Sequence, residues 1–419
     1  MSTINDSRTS LEKSGRSRTS DIELRKAIWG PFYYITQMTG LVLHIAPEDI
    51  KSKKGLLHLI PNVLATLILL ANGIYCLIRM SNIPFSINWA YSNSLFFFAL
   101  HGFVSSLVMM GYKYKNYFSN VGSLLRKAAR NNFENRLVSR PRRILGLFSF
   151  TTMIVSMGLY CADTYVMYPI TVTLPEQWNV STNDTQFFRK SMFGYQPLFC
   201  LDTVIKVYSM MVSASCLFIY ACANGASCTE LNHFNTQLKE KITDKSILKL
   251  EIMEIFETQL TDFLVLIKFI TENAVGVISI SFVAGLMVNI LSYYALRAFQ
   301  DYLLFGQLTF YFWVATSTIF LIFACLKVGD FYSLLRETND LLNLSHEIQK
   351  EAPDDRIRQI VRDMIERINT VDYASKNIFS VKSGMTLFHF LMLGIPFVME
   401  FFVRVRYVPE FLPIVIANS

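Results

Sequence analysis

Seven long apolar runs, at 58–80, 89–111, 144–168, 198–223, 274–296, 303–326 and 384–403, constrain this chain more than anything else in it. Each is close to the roughly 20 residues that carry an α-helix across a bilayer hydrocarbon core. A soluble protein would have to bury seven helices of that length. With 52% of residues hydrophobic, 14% aromatic and 17% charged, the chain has too little polar surface to cover them. The pattern is that of an all-α membrane protein with seven transmembrane helices.

Direction follows from the basic residues flanking the runs, because short Lys- and Arg-rich segments stay on the cytoplasmic side. The 112–143 segment carries Lys113, Lys115, Arg126, Lys127, Arg130, Arg136, Arg140, Arg142 and Arg143 against a single acid, Glu134. The 1–57 arm is also basic, with Arg8, Lys13, Arg16, Arg18, Arg25, Lys26, Lys51, Lys53 and Lys54, whereas no Lys or Arg occurs from Ser81 to Asn88. Both basic segments are expected in the cytosol, and the 224–262 and 328–383 segments with them. Seven spans then put the 169–197 loop and the 404–419 tail outside. That loop holds two N-glycosylation acceptors, Asn179 in Asn179-Val180-Ser181 and Asn183 in Asn183-Asp184-Thr185, which are of use only on that face. A G-protein-coupled receptor has the opposite orientation. Such a receptor carries an Asp-Arg-Tyr type triplet after its third helix, where Tyr168-Pro169 stands here.

The first roughly 28 residues are rich in Ser, Arg, Thr and Asp and have no apolar core, so the first span, not a cleavable signal peptide, is expected to act as the targeting signal. The apolar stretch 28–45 is interrupted by Gly30-Pro31 and Gly40 and reads as an interfacial or bundle-packing segment. Two of the cytoplasmic segments have helical stripes. One sets Leu248, Ile252, Ile255 and Phe256 apart from Lys249, Glu251, Glu254 and Glu257. The other runs through Phe331, Leu334, Leu335, Leu341 and Leu342, breaks at Ala352-Pro353-Asp354, and resumes with Ile357, Ile360, Val361, Met364, Ile365 and Ile368. Pro353 ends one helix and Asp354 can cap the next. The simplest use of these stripes is to continue the membrane helices into the cytosol as a packed bundle.

A cytosolic N-terminus, seven spans, a glycosylatable second outer loop, a last cytoplasmic segment of roughly 55 residues and a C-terminus just past the last span together resemble the arthropod gustatory receptors. These are a branch of the insect chemoreceptor superfamily that also includes odorant receptors. Pro31-Phe32 followed by Thr39-Gly40-Leu41 is similar to the family's opening segment. The family's last-span signature is a Thr-Tyr pair followed, after five apolar residues, by Gln-Phe. Here Phe401 matches, Glu400 stands in place of the glutamine, and the Thr and Tyr are absent. The resemblance implies a ligand-gated, non-selective cation channel in the plasma membrane of sensory cells, opened by an extracellular small-molecule tastant. It implies a homo- or heterotetramer with related subunits. The last span of each subunit would line a central pore, cytoplasmic extensions of spans 4 to 7 would form an anchor, and the ligand would enter from outside between spans 2 to 6.

The last span permits that role. Gly384 and Gly394 allow close approach, and Glu400 is an acidic group near the outer end that lipid would not tolerate. Four copies would make a carboxylate ring, which favours cations. Alternatively, Glu400 pairs with Arg404 one turn away. On the pore reading Phe397 forms an apolar gate just inside the ring, next to Phe401, and Val403 lines the mouth. Pro396 removes one helical hydrogen bond, offering a bend.

For the ligand, polar and aromatic residues at outer depth are the candidates: Asp163, Asp202, Lys206, Tyr293, Tyr294, Gln307, Tyr311 and Trp313, with Tyr165 also at that level. Asp202 and Lys206, one helical turn apart, can pair either as part of a binding site or as a structural ion pair. The aromatics are equally compatible with packing or an interfacial belt. Depth can be read along the chain, whereas lateral convergence cannot.

The seven cysteines are odd in number and scattered, which argues against a disulfide framework or a zinc site. Cys161 and Cys200 are at similar depth and open to either a bridge or ordinary buried thiols. The chain has no Gly-rich phosphate loop, no HExxH and no nucleophile elbow, and its six histidines are dispersed. No enzyme activity, metal or cofactor is therefore expected. The net charge of +7 arises in the cytoplasmic flanks, which suits anionic lipid headgroups and not nucleic acid. Four functions stay open: the gustatory-type channel, an odorant receptor of the same superfamily, a seven-helix G-protein-coupled receptor, and a non-channel protein sharing the fold.

Overall fold

A computed structural model describes residues 28–29, 53–81, 87–129, 140–162, 199–298, 304–325, 327–345, 354–370 and 394. Its elements are α1 (Lys53–Ser81), α2 (Ile87–Tyr114), α3 (Tyr117–Ala129), α4 (Arg140–Ala162), α5 (Phe199–Thr243), a 3-10 turn (Ser246–Leu248), α6 (Leu250–Ala298), α7 (Leu304–Cys325), α8 (Lys327–Leu344) and α9 (Asp355–Thr370). The described parts of the first six apolar runs lie on α1, α2, α4, α5, α6 and α7. Four helical stretches are long and apolar enough to cross a membrane: Trp89–Tyr114, Leu201–Thr243, Leu250–Arg297 and Gly306–Cys325. Shorter apolar stretches occupy Asn62–Ile78 and Leu147–Ala162. The seventh run lies outside the described residues, Gly394 excepted.

Helix α1 is patterned inside out. Its exposed face is Ile60, Leu64, Leu67, Ile74 and Ile78, while Asn62, Thr66 and Asn72 are buried. Thr66 Oγ1 donates to Asn62 O (2.7 Å) and so accepts from Ser106 Oγ on α2 (2.6 Å). An aliphatic outer face over a polar inner one is stable only where the surrounding medium is itself apolar, which makes this a multi-pass membrane protein.

Helices α5 and α6 are 45 and 49 residues long. At 1.5 Å per residue they reach about 68 and 74 Å, more than twice the roughly 30 Å hydrocarbon core. They therefore project well beyond the bilayer and are joined there by the tight turn at 244–249. Asp244 Oδ1 accepts from the Ser246 backbone N–H (2.9 Å) and hydroxyl. Around this projection the shorter helices collect. Gln259 of α6 donates to Ala128 O at the end of α3 (2.9 Å), and Lys115 reaches Asn273 (2.9 Å). Asn116, between α2 and α3, takes the left-handed conformation (φ 48°), which Asn tolerates better than most residues. Asn235 of α5 clamps α8: its Nδ2 donates to Leu334 O (2.9 Å) and Glu337 Oε2 (3.1 Å), and its Oδ1 accepts from Thr338 (2.6 Å).

The Asp354 cap forms, with its Oδ1 accepting from Arg356 N at 2.9 Å, and the stripe Ile357, Ile360, Val361, Met364 and Ile368 is buried. Exposed ion pairs Arg356–Glu254 and Arg367–Glu257, each 2.9 Å, tie α9 to α6. The stripe at the start of α6 differs from expectation. Ile255 is 47% exposed, and Met253, Phe256, Leu260 and Phe263 are the buried positions. Ile255 instead shares the open side with Glu251 and Thr258, and the packed neighbours decide which apolar positions are covered. Near the N-terminus, Ile28 and Trp29 are buried, and the Trp29 ring meets Phe118 of α3 edge-on at 4.9 Å. Bundle packing is thus observed for these two residues, and 30–45 lie outside the described residues.

Small residues set the helix separations. A Cβ on Gly102 would lie 1.9 Å from Ser209 Oγ, so α2 and α5 touch backbone to backbone there. Gly285 plays the same part between α6 and α7, where an added Cβ would meet Leu321, Ser317 O and Phe320 within 2.9–3.1 Å. One turn on, Asn289 Nδ2 donates across the same seam to Ser317 Oγ (3.1 Å).

Candidate functional site

At the end of the bundle opposite the α5–α6 turn, a charged group and an aromatic group are buried side by side. Asp202 is in the first turn of α5, where the free backbone N–H groups favour a carboxylate. Lys206, one turn later, donates from Nζ to Asp202 Oδ2. Helix periodicity alone brings these two together. Tertiary packing adds Asn72 of α1, whose Nδ2 donates to Asp202 Oδ1 (2.9 Å), and behind it Cys76, 3.8 Å from Asn72 Oδ1. Asp202 and Lys206 are only 2% and 6% exposed. Inside a bilayer such a pair is tolerable because each charge neutralises the other and Asn72 meets the remaining carboxylate oxygen.

Tyr160 of α4 joins the charged group to the aromatic one. Lys206 Nζ stands 5.6 Å from the Tyr160 ring centroid. The same ring is 6.0 Å from Trp313 of α7. Trp313 is fully buried and is the hub of the aromatic group. Tyr91 (5.0 Å) and Phe98 (5.4 Å) approach it edge-on from α2, and Phe310 (5.4 Å) from its own helix. Edge-on packing of this kind is the favoured geometry for rings at such separations. Three polar atoms in and beside this group have no hydrogen-bond partner: Trp313 Nε1, Thr316 Oγ1 one turn along α7, and Ser94 Oγ on α2 between Tyr91 and Phe98.

One turn deeper, His101 of α2 knits three helices. Its ring stacks on Phe320 of α7 at 4.1 Å, and its Nε2 meets Ser281 Oγ of α6 at 2.9 Å. Ser281 spends its own proton on Val277 O (2.6 Å) and so accepts from the histidine, which assigns the Nε2–H tautomer. Nδ1 then faces the Ser105 hydroxyl at 3.2 Å. Phe320 also lies 6.2 Å from Phe98, so the ring contacts run without a gap from Trp313 to the α6–α7 seam.

The sequence candidates are distributed unevenly over this arrangement. Asp202, Lys206 and Trp313 belong to it. Tyr294 is buried in the core, Tyr293 and Gln307 are half-buried, and Tyr311 is 59% exposed on the outside of α7. Asp163, Asn179, Asn183, Pro396, Phe397, Glu400, Phe401 and Val403 lie outside the described residues. Cys161 carries a free thiol. Sequence reasoning missed Asn72, Tyr91, Phe98, Tyr160 and Phe310. For Asn72 a signal existed, since an amide in the middle of an apolar run is costly unless it meets a partner. For the rings no local signal separates hub from packing.

Solved structures share this architecture. The insect olfactory receptor OR5 from Machilis hrabei in complex with eugenol matches with a TM-score of 0.59 at 12% identity, over 93% of this chain and 98% of that one. The structure of the same receptor described without eugenol matches with a TM-score of 0.58 at 10% identity, over 94% and 98%. At such identities the likeness is one of fold. No curated protein matches the chain. A family model described as Caenorhabditis protein of unknown function, DUF267, matches residues 28–398, and by that match, which spans most of its length, the chain belongs to this Caenorhabditis family.

Proposed function

We propose that the chain is a chemosensory receptor subunit of the gustatory-receptor kind, a ligand-gated non-selective cation channel in the plasma membrane of sensory cells. The observation that carries this reading is the buried group Asn72, Tyr160, Asp202, Lys206 and Trp313 inside a fold like that of an insect olfactory receptor. Ionic and indole groups are costly within a bilayer, and ligand recognition is a function that retains them there. With the N-terminus in the cytosol, this group faces the extracellular half, beneath a loop glycosylated at Asn179 and Asn183. Four related subunits surround a pore lined by 384–403, where Glu400 forms the carboxylate ring, Phe397 the gate beside Pro396 and Phe401, and Val403 the mouth. The helices at 328–383 complete the anchor. A ligand that contacts the open-state site more strongly than the closed one shifts the population toward open. The ring contacts from Trp313 through Phe98 and Phe320 to His101 offer a route by which α6 and α7 would feel it.

The test uses cells expressing the full chain with a C-terminal tag, stained live and then after permeabilisation, and recorded under whole-cell clamp. Live staining and ligand-evoked current carried by sodium and calcium are expected. Glu400→Gln should shift the reversal potential in mixed calcium and sodium solutions without loss of surface protein. Confirmed surface protein whose tag stains only after permeabilisation, or that passes no current to any of a broad tastant panel, would refute the reading.

A further inference from the structure

The corner where α2 passes into α3 sits at the edge of the bilayer. The apolar run on α2 ends at 111 and the run on α6 begins at 274, and Lys115 Nζ donates to Asn273 Oδ1 (2.9 Å) between them. From there α3 leads away from the membrane, because its far end meets Gln259, about 21 Å of helix from Asn273.

Lys115 is held in place without being neutralised. Lys206, Lys241 and Lys268 each meet a carboxylate, whereas Lys115 meets a neutral amide. That amide is itself fixed, since Asn273 Nδ2 donates to Phe269 O (2.7 Å) and so turns Oδ1 toward the ammonium. The backbone is pinned as well: the Lys115 N–H donates to Gly111 O (3.0 Å), and its carbonyl accepts from Asn120 Nδ2 (2.8 Å). An ammonium carries three donors, and among the described residues Asn273 alone takes one. No described carboxylate meets Lys115, which leaves a pre-positioned and exposed positive charge. Lys113 in the last turn of α2 and Lys268 on α6 add to it, against Glu272, which stands 3.8 Å from Lys268. Three ammonium groups against one carboxylate make the corner net positive.

The surroundings decide which anion that charge meets. Leu107, Gly111 and Tyr114 follow one another at i, i+4 and i+7 on one face of α2, and Lys115 stands at its end. Leu107 is exposed, Tyr114 is 72% exposed, and a Cβ added to Gly111 would find no atom within 4 Å. An apolar notch thus leads from the hydrocarbon to an interfacial ring and then to an ammonium, the order in which a phospholipid presents chain, glycerol and phosphate. A soluble anion would use only the last of these. We infer that the α2–α3 corner binds a phospholipid of net negative headgroup, its phosphate on Lys115 and one acyl chain along Leu107 and Gly111. The lipid comes from the leaflet on the side of the α5–α6 turn, which the loop charges make the cytoplasmic one. This site lies apart from the buried group described above and does not depend on whether the chain conducts.

The test is native mass spectrometry of the full chain, purified in detergent and titrated with dioleoylphosphatidylserine or dioleoylphosphatidylcholine, reading the first lipid bound. Phosphatidylserine should bind more tightly. Lys115→Gln should weaken it about fivefold, the contribution of one basic side chain at a membrane surface, and leave phosphatidylcholine within about twofold. Lys127→Gln removes the same charge from the far end of α3 and should change neither. Glu272→Gln should strengthen phosphatidylserine binding, and it carries the test if Lys115→Gln fails to fold. Glycerophosphoserine, the headgroup without chains, should not displace the lipid. Equal affinity for the two lipids, a loss in Lys127→Gln as large as in Lys115→Gln, or no gain in Glu272→Gln would overturn the inference. Displacement by glycerophosphoserine would overturn it too, by making the corner a site for soluble anions.

Discussion

Removing the Lys206 ammonium is the sharpest test of the buried pair. In Lys206→Met the aliphatic stem is kept while the charge goes, and Asp202 is left 2% exposed with Asn72 as its remaining described partner. Breaking a buried pair from one side costs about 3–5 kcal/mol, because the surviving charge has lost both water and partner. Asp202→Asn strands the ammonium instead and should cost a similar amount. The double variant removes both charges, and an amide at 202 can still bond Asn72. It should cost about 1 kcal/mol or less, as replacement of a whole buried pair often does. The coupling in the cycle is therefore about 5 kcal/mol or more, against the few tenths expected for independent sites. The assay is SDS-titrated unfolding of the full chain in micelles, followed by helical circular dichroism. If the single losses simply add in the double variant, or if each is under about 1 kcal/mol, Asp202 and Lys206 do not form a desolvated pair and the site described here is wrong.

Three further outcomes follow from the geometry. Gly102→Ala puts a methyl 1.9 Å from Ser209 Oγ and 3.0 Å from its Cα, so α2 and α5 must part; a loss of about 1–3 kcal/mol is expected, with partial recovery on adding Ser209→Ala, read in the same unfolding assay. Asn235→Leu deprives Leu334 O, Glu337 and Thr338 of their shared partner and should cost about 2 kcal/mol; hydrogen exchange should speed up across α8 more than across α7, and uniform exchange would count against the clamp. Asp244 is held down to about 2 from its ordinary 3.8 by the Ser246 hydroxyl and backbone N–H, with Lys241 assisting. Its contribution to the turn is thus fully present above about 3.8 and is lost as pH falls through about 2. Pepsin should accordingly nick the 244–249 turn of the native chain increasingly from pH 4 to 2, whereas Asp244→Asn should be nicked without that pH dependence; identical profiles would sink the assignment.

What the chain declares locally, its sequence determined alone. Whether a stretch is apolar enough for a bilayer is a property of consecutive residues, so the described parts of six runs fall within α1, α2, α4, α5, α6 and α7, although α5 and α6 extend well past theirs. The Asp202–Lys206 pair is fixed by helix periodicity, and the Asp354 cap by residues two apart. Lateral neighbours are another matter. Asn72 reaches Asp202 across 130 positions, and His101 reaches Ser281 across 180. Both contacts depend on how far each helix is rotated about its axis, which the sum of all packing contacts sets. That rotation placed Trp313 at the centre of the rings and Tyr311, two positions earlier, on the outside. It likewise covered Met253 and left Ile255 exposed, although the two are equally apolar. In a membrane helix hydrophobicity is required on every side, so it marks the span and loses its power to mark the buried face. Only close packing and the pairing of buried polar groups choose that face, and these exist only in the assembled tertiary structure.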